Sequence, residues 1–375
     1  MTDQIFSKRV FTGSVVLYDQ LLEVENGVIT KIENGTPTAN MRVVENICAG
    51  FIDLQINGGE KFYFTQYPTE ETVADIDSSF TALGTVYTLP TLVTSPIDNI
   101  LKGIESITSY QQKNPGTGVL GMHLEGPFLN PAKRGAHLLR NIQKPTNAAI
   151  EEIIKYGRDV IKLITIAPEV FTRDQIELLL SSGIAVAAGH SNATYKEAMA
   201  GFNAGIKTVT HLYNAMSPFD HRDPGLVGAT FDSANVYAPI ILDGVHCDFA
   251  AARIAYKLKK DKLVIISDAL FIGEKVKKFE WGLFNAELKN GQYINTDGKL
   301  AGSSISMADA VRNGVNYCDI PLMEAIEMCT IRPAKVLGLH HKIGKIEAGY
   351  PANFTVFNNS LSKFEPCKLG SAQLN

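Results

Sequence analysis

No apolar run in the 375 residues approaches the ~18 needed to cross a bilayer as a helix, so no membrane-spanning helix is expected. Charge of one sign is also missing. There are 35 basic and 39 acidic side chains, and a formal net charge of −4 gives no electrostatic reason to expect nucleic acid or an anionic membrane as partner. Cysteine is scarce and scattered: Cys48, Cys247, Cys318, Cys329 and Cys367 make an odd set with no CxxC pair. That spacing argues against a disulfide framework or a structural zinc knuckle and favours a reducing compartment. The opening MTDQIFSKRVFTG lacks the basic-then-apolar layout of a signal peptide, so a cytoplasmic location is the expectation. No GxGxxG opens a helix, which removes the dinucleotide-binding open sheet. A composition 45% hydrophobic and 20% charged belongs to a packed globular chain.

The first 45 or so residues alternate short apolar runs with turns. Asn26-Gly27 between two such runs is a hairpin signal. From about residue 47 the texture changes. Nearly continuous apolar runs recur at 49–54, 84–89, 119–124, 161–166, 184–188, 207–210, 236–242 and 263–266, each followed by a break and a helix-like segment. Strands buried on both faces read this way, because crossover helices cover a parallel sheet. Residues 69–83 and 172–182 each start on a threonine able to cap a first turn, and 307–317 and 322–337 read as helices after the last strand. Eight alternations predict a (β/α)8 barrel of the TIM type over residues 47–341. Residues 343–357 return to β-like runs. Paired with the N-terminal segment, they make a small β-sandwich domain from both chain ends, residues 1–46 and 342–375. The last eighteen residues carry little pattern.

Barrel chemistry sits where strands end, at their C-terminal edge. Run three ends His123-Leu124-Glu125-Gly126-Pro127, run five Gly189-His190, run six His211 with Asn214, run seven Asp243 with His246, and run eight Asp268. Of eight histidines, four fall at these ends. A lone histidine at a strand end is more often a satisfied structural group, but several together are not accounted for that way. One Glu and two His meet the needs of a catalytic zinc-type site, with three protein ligands and an open position for water. Such an ion lowers the pKa of its water to about 7. His123 and Glu125 lie two apart on one strand face and either could be a ligand; Glu125, nearer the rim, is preferred, and His123 then packs behind it. Asp268 is the natural proton shuttle. His246 suits a carbonyl or an anion, and Arg222, in a long loop after run six, suits a phosphate or simply solvent. Where a two-metal hydrolase offers His-x-His on its first strand, this chain has Gln55-Ile56-Asn57. Amides are poor zinc ligands, so a single metal is expected.

His-Leu-Glu-Gly-Pro (123–127), Gly-His-Ser-Asn-Ala-Thr (189–194), Thr-His-Leu-Tyr-Asn-Ala-Met (210–216), Asp-Gly-Val-His (243–246), Ser-Asp-Ala (267–269) and Leu-Ala-Gly-Ser-Ser (300–304) resemble the N-acetylglucosamine-6-phosphate deacetylases, a branch of the amidohydrolase superfamily. The resemblance runs from about residue 47 to 355. It implies removal of acetate from N-acetylglucosamine 6-phosphate, with acetamido epimers such as N-acetylgalactosamine 6-phosphate, or binding without turnover, as alternatives. It implies Glu125, His190 and His211 as ligands of one divalent ion, zinc foremost with iron, cobalt or manganese as substitutes. It further implies Asp268 as acid and base, His246 at the substrate carbonyl, and a homodimer in which Arg222 crosses to the neighbouring site. Ala136, His137, Asn214, Ala215, Asp243, Leu300, Ala301 and Gly302 would touch the sugar phosphate. Two departures stand out. Leu270-Phe271-Ile272-Gly273-Glu274 replaces the family's common Thr-Ala-Pro-Ala-Gly, and the tail lacks the usual closing strand.

Overall fold

The computed structural model describes residues 2–281 and 283–370. The chain opens with β1 (Thr2–Phe11), β2 (Val16–Glu25) and β3 (Val28–Asn34), an antiparallel meander. Asn26 and Gly27 join β2 to β3 with φ of 51° and 76°, the left-handed pair that a tight hairpin demands. β4 (Arg42–Ala49) returns parallel to β1 and runs past residue 46 almost into the barrel.

The barrel strands fall on the eight apolar runs. They are β5 (Phe51–Ile56), β6 (Thr85–Val93), β7 (Met122–Glu125), β8 (Ile161–Ile166), β9 (Ala185–Ala188), β10 (Thr208–Val209), β11 (Ala238–Ile240) and β12 (Leu263–Ile265). β5 to β10 form one parallel ladder in sequence order, and β11 pairs β12. Parallel bridges Thr208–Tyr237 and Ile56–Ala269 close the ring. Ile52, Leu54, Leu89, Leu163, Ala187, Ile241, Val264 and Ile266 fill its interior. Outside, the first crossover helix, α1 (Glu70–Thr81), starts as its sequence dictates: the Thr69 side chain accepts from the Thr72 amide, and Ile76 and Phe80 are buried against the sheet. The helix Arg173–Ser181 begins with a reciprocal capping box between Thr172 and Gln175.

Three features depart from the sequence expectation. Residues 322–337 form two helices, Leu322–Cys329 and Ile331–Val336, broken at Thr330 (φ −126°, ψ −89°). Pro333 lacks the amide that a continuous helix would donate to Cys329, which removes the bond spanning the break. Between β12 and the helix Met307–Tyr317 lies an antiparallel sheet of β13 (Lys278–Trp281), β14 (Phe284–Lys289) and β15 (Gln292–Ile294). The tail carries a strand after all. β16 (Asn353–Phe357) and β17 (Phe364–Lys368) pair antiparallel, giving the six-stranded order β17-β16-β4-β1-β2-β3. Residues 371–375 lie outside the described residues.

Thr355 on β16 joins this sheet to the barrel. Fully buried, its hydroxyl donates to the Gly84 carbonyl at 2.7 Å and accepts from the Phe51 amide at 3.1 Å, at the entrances to β6 and β5. Thr355→Val keeps the shape and leaves both backbone groups buried without partners. Urea unfolding should show a loss of about 2 kcal/mol; an unchanged midpoint would mean the joint rests on packing alone.

Candidate active site

Side chains at the strand ends converge because the backbone turns inward there. His190, His211 and Asp268 have φ of 47°, 30° and 48°, the left-handed region that residues with a Cβ avoid. Such conformations cost of order 1–3 kcal/mol each and persist where the surroundings enforce them.

Glu125, from the end of β7, lies at the centre. Its Oε1 is 3.1 Å from His190 Nε2 and 3.0 Å from His211 Nε2, and those two nitrogens are 3.1 Å apart. The other nitrogen of each ring faces a backbone carbonyl: His190 Nδ1 lies 3.0 Å from Lys133 O, and His211 Nδ1 3.1 Å from Asn214 O. A carbonyl only accepts, so each Nδ1 carries hydrogen and each Nε2 presents a lone pair. Two lone pairs and a carboxylate oxygen thus meet within about hydrogen-bond distance. This is the donor set of a divalent cation, with second nitrogens fixed by the backbone as metal-binding histidines require. Burial, reinforced by the neighbouring His137, lowers His190 to about 4 and keeps it neutral. Burial also depresses His211, but the Glu125 and Asp268 carboxylates outweigh it and raise the group, so proton and cation compete for one nitrogen.

His137 is nearer this cluster than its expected role as a sugar contact suggested. Its Nε2 lies 3.6 Å from Glu125 Oε2 and its Nδ1 2.8 Å from Thr94 Oγ1, so Glu125, His137 and His190 also form a group able to hold an ion. The resemblance named it as a sugar contact, but its position in a loop with no periodic pattern gave no sign that the ring turns to Glu125. His123 is fully buried against Thr165 at 2.8 Å, as packing requires.

Asp268 faces the cluster from β12. Burial raises its carboxyl to about 6, with the Glu125 charge adding and His211, His246 and an Asn57 hydrogen bond opposing. Gln55 Nε2 and Asn57 Nδ2 donate to its Oδ1 at 3.0 and 2.8 Å, and Gln55 also reaches Glu125 Oε1 at 3.0 Å. Amides noted only as missing imidazoles therefore tie the two carboxylates together. His246 is anchored through Nδ1 to Asp243 Oδ2 at 2.6 Å.

These groups open on one cavity that Ala136, His137, Asn214, Ala215, His246, Leu300, Ala301 and Gly302 also line. Its apolar side comes from the inserted sheet. Trp281 and Phe284 line it, with Tyr63 stacked on Phe284 at 5.9 Å. The Asn290-Gly291 step, with φ of 51° and 77° between alternating strands, was the available signal for that sheet. Arg222 stays apart: it is exposed on the loop before the helix Gly225–Asp232 and is not among the cavity-lining residues.

With three converging ligands and amides in place of a second imidazole pair, dialysed protein titrated with zinc should take up about one tightly held ion per chain. His190→Ala should lose it. Two tight ions per chain would contradict this geometry.

A model of the Amidohydrolase family matches residues 46–369. The N-acetylglucosamine-6-phosphate deacetylase of Haemophilus influenzae is 36% identical, with 93% of each chain covered. The N-acetylgalactosamine-6-phosphate deacetylase of a Shewanella species is 35% identical over 82% of this chain and 78% of its own. The crystal structure of N-acetylglucosamine-6-phosphate deacetylase from Pasteurella multocida superposes with a TM-score of 0.93 at 33% identity, covering all of both chains. On the match to its family model and on these relatives, the chain belongs to the amidohydrolase family.

Proposed function

We propose that the protein is a metal-dependent amide hydrolase that converts N-acetylglucosamine 6-phosphate and water to glucosamine 6-phosphate and acetate. The observation that carries this is the meeting of the Glu125 carboxylate with two Nε2 lone pairs beside a buried Asp268, in a cavity with both polar and apolar walls. The similarity to deacetylases over most of the chain supports the substrate class.

Glu125, His190 and His211 would hold the ion, and zinc suits one carboxylate and two imidazoles, though iron, cobalt or manganese accept the same set. Bound there, a divalent ion supplies Lewis acidity, which makes water a nucleophile near neutral pH and polarises a carbonyl. Asp268 takes a proton from the attacking water. As the C–N bond breaks, it returns that proton to the departing amine. We assign the acetyl oxygen to His137, whose ring lies beside Glu125 and donates from Nε2 when that nitrogen carries hydrogen, a role the sequence resemblance gave to His246. His246, oriented by Asp243, then serves the sugar phosphate together with Asn214 and Ala215. Leu300, Ala301, Gly302 and Ala136, which line the cavity, are given to the sugar as well. We place the enzyme in the cytoplasm, where five free, buried cysteines stay reduced.

Asp268→Asn removes the proton shuttle and leaves Glu125, His190 and His211 in place. kcat for acetate release should fall by about 10² or more while metal content stays normal. Retained turnover would reassign the base.

Arg222 completes the site as part of a homodimer in this proposal, reaching the partner's phosphate from its exposed loop. A phosphate dianion needs a fixed guanidinium, and the lining of its own cavity offers none. Arg222→Ala and Asp268→Asn subunits, each nearly inactive alone, should regain about a quarter of parental activity when mixed and exchanged. Each mixed dimer then has one intact and one doubly damaged site. No recovery despite subunit exchange would place the phosphate anchor in its own chain.

A further inference from the structure

Asn57 has one end accounted for and one end not. Its Nδ2 donates to Asp268 Oδ1 at 2.8 Å, and that pairing sets the amide's orientation, since a carboxylate only accepts. Its Oδ1 is buried without any hydrogen-bond partner, although the residue is only 5% exposed and lines the cavity. A buried acceptor left empty is costly, so one at a binding surface points to a donor that arrives with the ligand.

The neighbouring contacts say which donor. Asp268 Oδ1 receives N–H groups from both Gln55 and Asn57, so its acceptor capacity is taken up and the transferable proton belongs on Oδ2. The amide nitrogen of the substrate must come to Oδ2 to be protonated as the C–N bond breaks. That nitrogen carries a hydrogen of its own, which it keeps in the amine product, and Asn57 Oδ1 is the unfilled acceptor on the residue bound to Asp268. We propose that Asn57 is a positioning residue that accepts a hydrogen bond from the N–H of the scissile amide, turning the nitrogen towards Asp268. Asn57 thereby selects amides over esters. This rests on the deacetylase reading above and extends it to the bond being broken.

The test keeps Asp268 intact, because an asparagine there could itself donate to Asn57 Oδ1. kcat/KM for acetate release is measured with metal-loaded enzyme on N-acetylglucosamine 6-phosphate and on 2-O-acetylglucose 6-phosphate, which keeps the carbonyl and lacks the N–H. Asn57→Ala, or the shape-matched Asn57→Leu if the alanine variant folds poorly, should lower the amide-to-ester ratio of kcat/KM about five- to tenfold, the worth of one hydrogen bond. Gln55→Ala removes the other donor to Asp268 Oδ1 and should leave that ratio within about twofold of the parental value. An unchanged ratio in the Asn57 variants overturns the assignment. If the parental metal-loaded enzyme releases acetate from neither compound, the deacetylase reading itself falls, and this inference with it.

Discussion

Everything at the rim of this barrel depends on one electrostatic conflict, the approach of a carboxylate oxygen and two imidazole lone pairs to about 3 Å of one another. Without a positive charge between them these groups repel, and they are buried where water cannot screen them. The fold withstands that conflict by fixing each participant from behind. Lys133 and Asn214 carbonyls hold the Nδ1 sides of the rings, Gln55 holds the Glu125 oxygen, and a closed ring of strands sets the spacing. The left-handed backbone at His190 and His211 belongs to the same arrangement, because only a sharp turn at the strand end brings both rings to face one point.

The amides of Gln55, in β5, and Asn57, just past its end, are not passive replacements for histidine. An amide offers two hydrogens from one nitrogen, so Gln55 can serve Glu125 and Asp268 at once, which a neutral imidazole with one N–H cannot do. The tie between the two carboxylates, and in our proposal a single ion beside a tethered proton shuttle, therefore follow from one substitution pattern. The raised pKa of Asp268 has another origin: burial comes first and the Glu125 charge adds to it, while the Asn57 hydrogen bond, with His211 and His246, pulls the other way.

How much of this was legible varies with the kind of residue. The eight strands stood out because barrel strands, covered on both faces, read as continuous apolar runs, and Glu125, His190, His211 and Asp268 stood out because they end those runs. His137 did not, since nothing in the spacing of the 131–141 loop says that its ring folds back on Glu125. The sheet of β13, β14 and β15 was missed because its strands are short and half exposed, with Asn290-Gly291 as the main cue. The break at Thr330 was hidden by an apolar pattern that continues across it. Strand β17 was missed for a related reason: at the edge of the sheet only Phe364 and Cys367 are buried, three apart, which breaks the alternation a strand would show.

The Thr355 joint gives the molecule a direction in time. Phe51 and Gly84 leave the ribosome about 300 and 270 residues before the hydroxyl that satisfies them, so the first two barrel strands are made long before their clasp exists. During that interval one Phe51 amide and one Gly84 carbonyl lack their final partner, and β4 presents an open edge where β16 will pair. Chains that stall during synthesis thus carry an unfinished seam for chaperones or proteases to recognise, and completion of the seam marks a chain as finished.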